Sequence, residues 1–360
     1  MTRLRVASFN VAFDRPAPGA LARELAGQAA PQVARVAEII RRVRPDILLL
    51  CEFDHDGEGR DYGAVDAFRR RFLAATEGGG APIDYPHALL IPTNTGERLP
   101  CDLDGDGRIT APQDCHGFGQ FHGQYGMLLL SRFPIEVAAL RSFRHLRWCE
   151  MPGATLPPSL PEPARSLLRL SSKNHIDVPV CIDGRRLHLL AMHPTPPVFQ
   201  PHNLARNSDE LRLFHDYLDD AGYLVDDAGQ AGGLAEGEAF VLLGDFNADP
   251  CDGDGDHERV RRLLAHPRLH PASREGVALP RSAGGLAWGG RRSGHQGDPA
   301  CWTHRQGLRL DYVLPSRELT PLGAGVCWEA AHTPLGPLFA TTRGSDASSD
   351  HRLVWVDIAL

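Results

Sequence analysis

Several residues that can bind a metal ion or transfer a proton stand at the ends of short apolar segments of this chain. Four of them come just after such a segment: Asn10, Glu52, His193 and Asp245. Three others come before one, with Asp311 preceding Tyr312 to Leu314 and the pair Asp350-His351 preceding Leu353 to Ile358. The end of one strand meets the start of its antiparallel neighbour at the same sheet edge. We therefore expect all of these side chains to converge on one cleft.

Carboxylate, amide and imidazole groups gathered in one cleft agree with the binding of a divalent metal ion and with the cleavage of a phosphate ester. Hard oxygen ligands suit Mg²⁺, Mn²⁺ or Ca²⁺, and such an ion offsets the charge on the transferring phosphoryl group. A single carboxylate at a strand end is more often a cap or a turn residue than a ligand. The prediction therefore depends on the coincidence of all these placements, not on any one of them.

The elements that position these residues are predicted strands and helices. The helices are Pro31 to Val43, Ser208 to Leu218 and Glu258 to Leu264, where apolar residues recur at helical spacing. The strands are the apolar segments Leu4 to Phe9, Ile47 to Cys51, Met127 to Leu130, Leu187 to Met192, Phe240 to Leu243, Tyr312 to Leu314 and Leu353 to Ile358. Strands buried on both faces with helices outside favour a layered α/β or α+β fold.

Three segments rich in Gly, Pro and Asp are interpreted as long loops: Tyr85 to Gly123, Met151 to Pro163 and Gly284 to Pro299. No short-period repeat and no long linker divides the sequence. We therefore expect a single domain over residues 1–360, with an insertion around residues 93–123.

Five motifs in this chain resemble the signature blocks of a known superfamily. They are Ala7-Ser8-Phe9-Asn10, Leu48-Leu49-Leu50-Cys51-Glu52, Leu243-Gly244-Asp245-Phe246-Asn247, Arg309-Leu310-Asp311-Tyr312-Val313 and Ser349-Asp350-His351. In this order they resemble the endonuclease/exonuclease/phosphatase superfamily, which contains deoxyribonuclease I, apurinic endonucleases, neutral sphingomyelinases and inositol polyphosphate phosphatases. The resemblance spans residues 4–358. It implies an α+β sandwich of four layers, with two mixed β-sheets flanked by helices, and hydrolysis of phosphate esters with a divalent metal ion.

The resemblance also implies which residues hold the catalytic metal ion and which one activates water. Glu52, with Asn10 and Asp350 nearby, would hold Mg²⁺ or Mn²⁺. Asp245 would orient the attacking water and take its proton.

Other matching residues would contact the substrate. Asn247 and His193 would donate hydrogen bonds to the phosphoryl oxygens as charge develops there. His351 would contact the phosphate, with Asp311 fixing its tautomer and favouring the imidazolium. Tyr125, in the segment that leads into Leu128 to Arg132, would face the substrate, and core packing is its alternative role.

A second motif, Asp102 to Thr110, matches the first part of a calcium-binding loop. The candidate ligands are Asp102, Asp104, Asp106, the Arg108 carbonyl, Thr110 and Asp114. The usual acid at position twelve is replaced by Gln113, and the prolines Pro100 and Pro112 oppose the flanking helices of an EF-hand. We therefore predict a structural Ca²⁺ that fixes a long loop, with a hydrated acidic turn as the alternative.

The same loop is similar to the Asp-rich insert of a bacterial subgroup of the superfamily, whose members are typically exported. In that subgroup the insert precedes stretches like Gly117-Phe118-Gly119 and Gly123 to Met127. The sequence starts at Met1 and enters a strand without the charged and apolar regions of a leader peptide. Extracytoplasmic and cytoplasmic locations therefore both stay open.

The charge balance bears on the substrate. The chain has 38 Lys plus Arg against 45 Asp plus Glu, a formal net charge of -7. Because duplex binding needs basic groups that neutralise phosphates, we predict a small or exposed phosphomonoester or phosphodiester and disfavour a duplex nucleic acid. A nuclease acting on DNA or RNA is the alternative enzyme. A non-catalytic calcium-binding scaffold is the alternative of another class, and the intact set of acids opposes it.

The remaining sequence features concern redox state and assembly. Eight cysteines are too few for a disulfide scaffold, and Cys101 and Cys115, which bracket the Asp-rich loop, are either bridged or free. No apolar segment reaches the ~18 residues of a membrane span. We expect a monomer.

Overall fold

Eleven strands form two β-sheets in the part of the chain that the computed structural model describes, residues 2–290, 294–339 and 347–360. The strands are β1 (Arg3–Phe13), β2 (Ile47–Phe53), β3 (His87–Ile91), β4 (Met127–Ser131), β5 (Arg141–Ser142), β6 (His175–Ile182), β7 (Arg185–Met192), β8 (Phe240–Asp245), β9 (Asp311–Pro315), β10 (Thr320–Val326) and β11 (Val354–Ala359). The first sheet has the order β10-β11-β1-β2-β4-β3, and the second has the order β5-β6-β7-β8-β9.

Each sheet contains one parallel pair at its centre, β1 with β2 and β7 with β8, and antiparallel neighbours outside it. Both sheets are therefore mixed. The carboxyl ends of the two strands in a parallel pair lie at the same edge, so each pair brings two chain segments to one place. Residues at or near the carboxyl ends of these four strands form the centre of the site.

Helices cover the outer faces of the sheets. They are α1 (Ala20–Ala26), α2 (Pro31–Val43), α3 (Gly63–Phe68), α4 (Glu162–Leu167), α5 (Asn203–Leu218), α6 (His257–Leu264), α7 (Ala272–Glu275) and α8 (Ala283–Ala287). Helix α2 has Pro31 at its first position, where the missing N–H costs no hydrogen bond. It ends at Arg44, whose left-handed φ of 55° stops the helix.

Alternation along β8 shows how the layers are built. Val241 and Leu243 belong to the core between the two sheets, whereas Phe240 and Leu242 belong to the core beneath α5 and α6. Successive side chains of a strand point to opposite faces, so both faces of this strand are buried. The result is the predicted arrangement of two mixed sheets flanked by helices, which is confirmed.

Several strands lie where the sequence did not predict them. Strand β3 lies inside the segment Tyr85 to Gly123, which was interpreted as a loop, and this interpretation is wrong for His87 to Ile91. Strand β6 contains Asp177 and Pro179, which interrupt its apolar pattern. Helix α8 lies at the start of the predicted loop Gly284 to Pro299, and residues 291–293 of that loop lie outside the described residues.

No helix within the described ranges combines the length and the apolar character that a membrane crossing requires.

Candidate active site

The ends of the two parallel strand pairs bring Asn10, Glu52, His193 and Asp245 together. Asn10 lies in β1 opposite Cys51 of β2, so Glu52 comes one residue further along the same edge. In the second sheet, Met192 of β7 pairs with Gly244 of β8, which places His193 beside Asp245. The Gly244 position admits only glycine, because a Cβ there would lie 1.8 Å from the Met192 carbonyl oxygen and φ is 144°.

The Asn10 amide links Glu52 of its own sheet to Asp245 of the other sheet. Its Nδ2 donates to Glu52 Oε1 at 3.0 Å and to Asp245 Oδ2 at 3.0 Å. Burial raises the pKa of Glu52 to about 7 and also raises the pKa of Asp245, although the Asn10 hydrogen bonds oppose the rise in both. The amide therefore stabilises two acids whose ionised forms are disfavoured by their surroundings.

Two histidines approach the same oxygen of Asp245 from different segments. His193 Nε2 lies 3.5 Å from Asp245 Oδ2, and His351 Nε2 lies 3.7 Å from it. Burial lowers the pKa of His193 well below its usual value, and the charges of Lys173 and His351 lower it further. His193 is therefore neutral at physiological pH.

His351 is protonated, unlike His193, because carboxylates surround it. Its Nδ1 lies 2.9 Å from Asp311 Oδ2, which also accepts a hydrogen bond of 2.7 Å from Thr303 Oγ1. Burial alone would lower the pKa of His351, but Asp311 and Asp245 outweigh it and raise the pKa well above the usual value. His351 is therefore an imidazolium held between two acids.

Asn247 extends the cluster from the end of β8. Its backbone N–H donates to Asp245 Oδ1 at 2.9 Å, and its Nδ2 donates to the Pro194 carbonyl at 3.0 Å. The positive φ of Asn247, 52°, and of Glu52, 59°, is uncommon for residues other than glycine. Such backbone conformations concentrate at functional sites, where the surrounding structure holds them.

Asp350 lies beside this cluster, with His304, His351 and Arg305 around its carboxylate. Its Oδ2 lies 3.4 Å from His304 Nε2 and 3.9 Å from the Arg305 guanidinium. Burial raises the pKa of Asp350, but His304 and His351 more than offset this effect and the pKa is well below its usual value. Asp350 therefore lies next to the catalytic cluster. That Asp350 binds the same metal ion as Glu52 and Asn10 stays a prediction.

Tyr125 reaches the cleft from the segment before β4. The Tyr125 backbone has a φ of 57°, and its N–H donates to Asp54 Oδ1 at 2.9 Å. Asp54 Oδ2 accepts the backbone N–H of Arg15 at 2.7 Å. Burial raises the Tyr125 pKa to about 12, and Asp14 and Glu52 contribute to the rise. Tyr125 therefore lies near the acids of the site, and its contact with a substrate stays a prediction.

Sequence reasoning did not identify Asp14, Asp54, Thr303 or His304. Asp54 stands two residues after Glu52, where a strand that continued regularly would point both side chains to one face. The backbone of residues 303–305 pairs with that of residues 350–352 through Arg305 N–H to Asp350 and Arg352 N–H to Thr303. This pairing is between segments distant in sequence, which no local pattern reveals.

The Asp-rich loop holds its first three acids close together. One carboxylate oxygen from each of Asp102, Asp104 and Asp106 lies within 4.8 Å of the others. Asp114 is buried, and its two oxygens accept the N–H groups of Leu103 and Thr110 at 2.6 and 2.7 Å. Asp114 thus closes the loop through the backbone.

The two cysteines that bracket this loop are buried free thiols. Burial raises the pKa of Cys115 to about 11 and also raises the pKa of Cys101. A raised thiol pKa lowers the fraction of reactive thiolate.

The donor set at the cleft fits a hard divalent cation. Glu52 forms no ion pair with a basic side chain in the described parts of the chain, and burial raises its pKa to about 7 although the Asn10 hydrogen bond and the His351 charge oppose the rise. Oxygen donors from Glu52 and Asn10 match the preference of Mg²⁺ and Mn²⁺.

Comparisons with known proteins identify the family and the fold. The model of the Endonuclease/Exonuclease/phosphatase family matches residues 7–351. The fold is similar to that of an endonuclease/exonuclease/phosphatase from Beutenbergia cavernae DSM 12333, at 18% identity and a TM-score of 0.57, over 100% of this chain and 72% of that one. It is also similar to an endonuclease/exonuclease/phosphatase family protein from Leptotrichia buccalis C-1013-b, at 13% identity and a TM-score of 0.50, over 99% and 100% of the two chains. No curated protein sequence matches significantly.

Proposed function

The chain belongs to the endonuclease/exonuclease/phosphatase family, and from this premise we propose that it hydrolyses a small or exposed phosphomonoester or phosphodiester by in-line attack of water. Family membership makes it an enzyme that hydrolyses phosphoric esters. The observation that carries the proposal is the environment of Asp245 Oδ2, which lies 3.0 Å from the Asn10 amide, 3.5 Å from His193 and 3.7 Å from His351.

Glu52 and Asn10, with Asp350, would hold Mg²⁺ or Mn²⁺, which neutralises charge on the phosphoryl group when bound. The support for Glu52 is that it has no direct ion pair with a basic side chain of the described residues. The support for Asp350 is its position beside His351, which lies 3.7 Å from Asp245. The residues of the chain supply the proton transfer and the remaining hydrogen bonds.

Asp245 is the proposed general base. Its carboxylate is oriented from both sides, by the Asn10 amide at one oxygen and the Asn247 N–H at the other. Burial raises its pKa, which increases its affinity for the proton of water. The water oxygen forms a bond to phosphorus and its proton passes to Asp245. The bond from phosphorus to the ester oxygen breaks, and this oxygen keeps the electron pair and takes a proton from the solvent as the alcohol leaves.

Three groups are proposed to stabilise negative charge on the phosphoryl oxygens. His351 does so as an imidazolium, which Asp311 keeps charged. Neutral His193 and the Asn247 amide donate hydrogen bonds, and Tyr125 borders the substrate. Removing one such donor from an active site usually lowers kcat by about 10²–10³-fold.

A structural Ca²⁺ is proposed for the Asp102 to Asp114 loop. The clustering of Asp102, Asp104 and Asp106 supports it, and so does the closed backbone geometry that Asp114 maintains. An ion there would offset the mutual repulsion of the three neighbouring carboxylates and fix the loop.

The proposed function is tested by measuring hydrolysis of a panel of phosphomonoesters, phosphodiesters and plasmid DNA with Mg²⁺, Mn²⁺ or Ca²⁺. The net charge of -7 leads us to expect faster turnover of small esters than of DNA. Plasmid cleavage that is faster per phosphate and strongly suppressed by moderate salt would instead identify a nuclease. Absence of hydrolysis across the panel would contradict the proposed enzyme.

A further inference from the structure

The chain contains a single lysine, Lys173, among its 38 Lys plus Arg residues. At every other basic position it uses arginine, including the buried and the exposed ion pairs. Arginine serves where a broad, planar group with several donors is needed, whereas lysine supplies a compact ammonium. Lys173 therefore carries the single side-chain ammonium of the sequence.

Lys173 lies at the same sheet edge as His193. Strand β6 begins two residues later at His175, which pairs with Met192, the last residue of β7. The Glu210 carboxylate of α5 ties the two segments together, because it accepts the N–H of Ser172 at 2.6 Å and the N–H of Thr195 at 2.6 Å. Lys173 and His193 are thus each within two residues of a backbone N–H that the Glu210 carboxylate binds.

The Lys173 ammonium has no direct partner among the residues that the structure describes. The residue is only 6% exposed, and across the described ranges its ammonium makes no hydrogen bond and no ion pair within 4.0 Å. The carboxylates that act on its charge are, in order of strength, Glu210, Glu52 and Asp245. An ammonium that is mostly buried without a direct partner is destabilising, and these acids compensate its charge only through space. Its Nζ is not among the fully enclosed unpaired polar atoms of the described residues, so a bound group can reach it.

We infer that the Lys173 ammonium binds a non-bridging oxygen of the substrate's phosphoryl group, beside His193. The acids that act on Lys173 include Asp245 and Glu52 of the catalytic cluster, and its own charge acts on His193. A phosphoryl oxygen would supply the missing partner and would gain most from it as negative charge develops. This inference rests on the proposed function.

The single lysine makes a direct binding experiment possible. In protein labelled with ¹³C-lysine, every side-chain lysine signal belongs to Lys173, and a Lys173→Arg sample that lacks it verifies the assignment. Titration with inorganic phosphate in the presence of Mg²⁺ should shift the Lys173 ε-methylene signal with the same saturation curve as phosphate inhibition of turnover. Phosphate that inhibits turnover while this signal stays unmoved would overturn the inference.

Kinetics provide the second test. Lys173→Met keeps the length of the side chain and removes its charge, and it should lower kcat/KM about 10²-fold. Lys173→Arg should recover only part of this loss, because the larger guanidinium must enter a buried position. Arg206→Met removes another buried cation of the same region, whose bonds go to the carbonyls of Leu170, His116 and Arg169, and per folded molecule it should retain kcat/KM.

The outcomes separate this inference from the proposed function. The parent enzyme can be active while the kcat/KM of Lys173→Met stays within about threefold of it per folded molecule. This result contradicts the phosphate contact of Lys173 and leaves the proposed function intact. A parent that hydrolyses no ester of the panel contradicts the proposed function, and a saturable phosphate shift of Lys173 in that protein would still support the contact. If Lys173→Met fails to fold, the signal of the parent protein decides.

Discussion

Replacing Asn10 by alanine should move the pH dependence of the reaction. The Asn10 amide donates one hydrogen bond to Glu52 and one to Asp245, each of 3.0 Å. Both bonds favour the ionised carboxylates, so their loss must raise the two pKa values. A hydrogen bond to a charged group is worth about 1.5–3 kcal/mol, and one pKa unit corresponds to about 1.4 kcal/mol. Each pKa should therefore rise by about 1–2 units.

The active form needs Asp245 ionised, so the acidic limb of kcat/KM against pH should shift upwards by about 1–2 units in Asn10→Ala. The profile is measured for both proteins at one fixed Mg²⁺ concentration. Asn94→Ala is the matched control, because Asn94 is equally buried and bonds to the Arg144 and Ser171 carbonyls instead of the site acids. An acidic limb that is unmoved in Asn10→Ala, or moved as far in the control, would refute the role of this amide.

Three further predictions concern metal ions and acid stability. Excess chelator should abolish ester hydrolysis and Mg²⁺ or Mn²⁺ should restore it, whereas full activity in protein shown by elemental analysis to be metal-free would exclude the proposed mechanism. The double variant Asp104→Ala with Asp106→Ala should lose the Ca²⁺-dependent rise in Tm and keep its specific activity. An equal Ca²⁺-dependent rise in Tm in the variant and the parent would place the ion elsewhere. The double variant Asp84→Ala with Asp254→Ala is the control for the removal of two exposed acids. Burial lowers the pKa of His175 from 6.5 to about 4, so between these pH values the unfolded state binds a proton that the folded state does not. The free energy of unfolding should therefore fall as the pH drops through this window, by about 3 kcal/mol in total for this residue. Denaturant unfolding of the parent and of His175→Gln at pH 7 and pH 4.5 checks this, and an equal loss of stability in both would contradict it.

Much of the site could be predicted from the sequence, because its residues follow or precede strongly apolar strands. Asn10, Glu52 and Asp245 meet at hydrogen-bond distance as their positions at strand ends suggested. The sequence motif around Asp311 likewise placed it next to His351, at 2.9 Å. For these residues, the position at the end of an apolar strand and the sheet topology both place the side chain at the same sheet edge.

The parts that could not be predicted depend on contacts between distant segments. Thr303 reaches Asp311 through a turn, and His304 reaches Asp350 through backbone pairing that has no apolar signature. Strand β6 was not recognised because Asp177, which faces His188 and Tyr217, breaks its apolar pattern. The composition does distinguish Lys173 as the single lysine, but only the fold shows that it is buried near the acids of the site.

The most direct test of the central claim is hydrolysis of the best ester of the panel in water enriched in ¹⁸O, for the parent and for Asp245→Asn. The heavy oxygen should appear in the phosphate product and not in the released alcohol, because water attacks phosphorus. Asp245→Asn should lower turnover by about 10²–10⁴-fold while its unfolding transition stays nearly unchanged. Heavy oxygen in the alcohol, or an Asp245→Asn variant with near-normal turnover, would contradict attack by a water molecule that Asp245 activates.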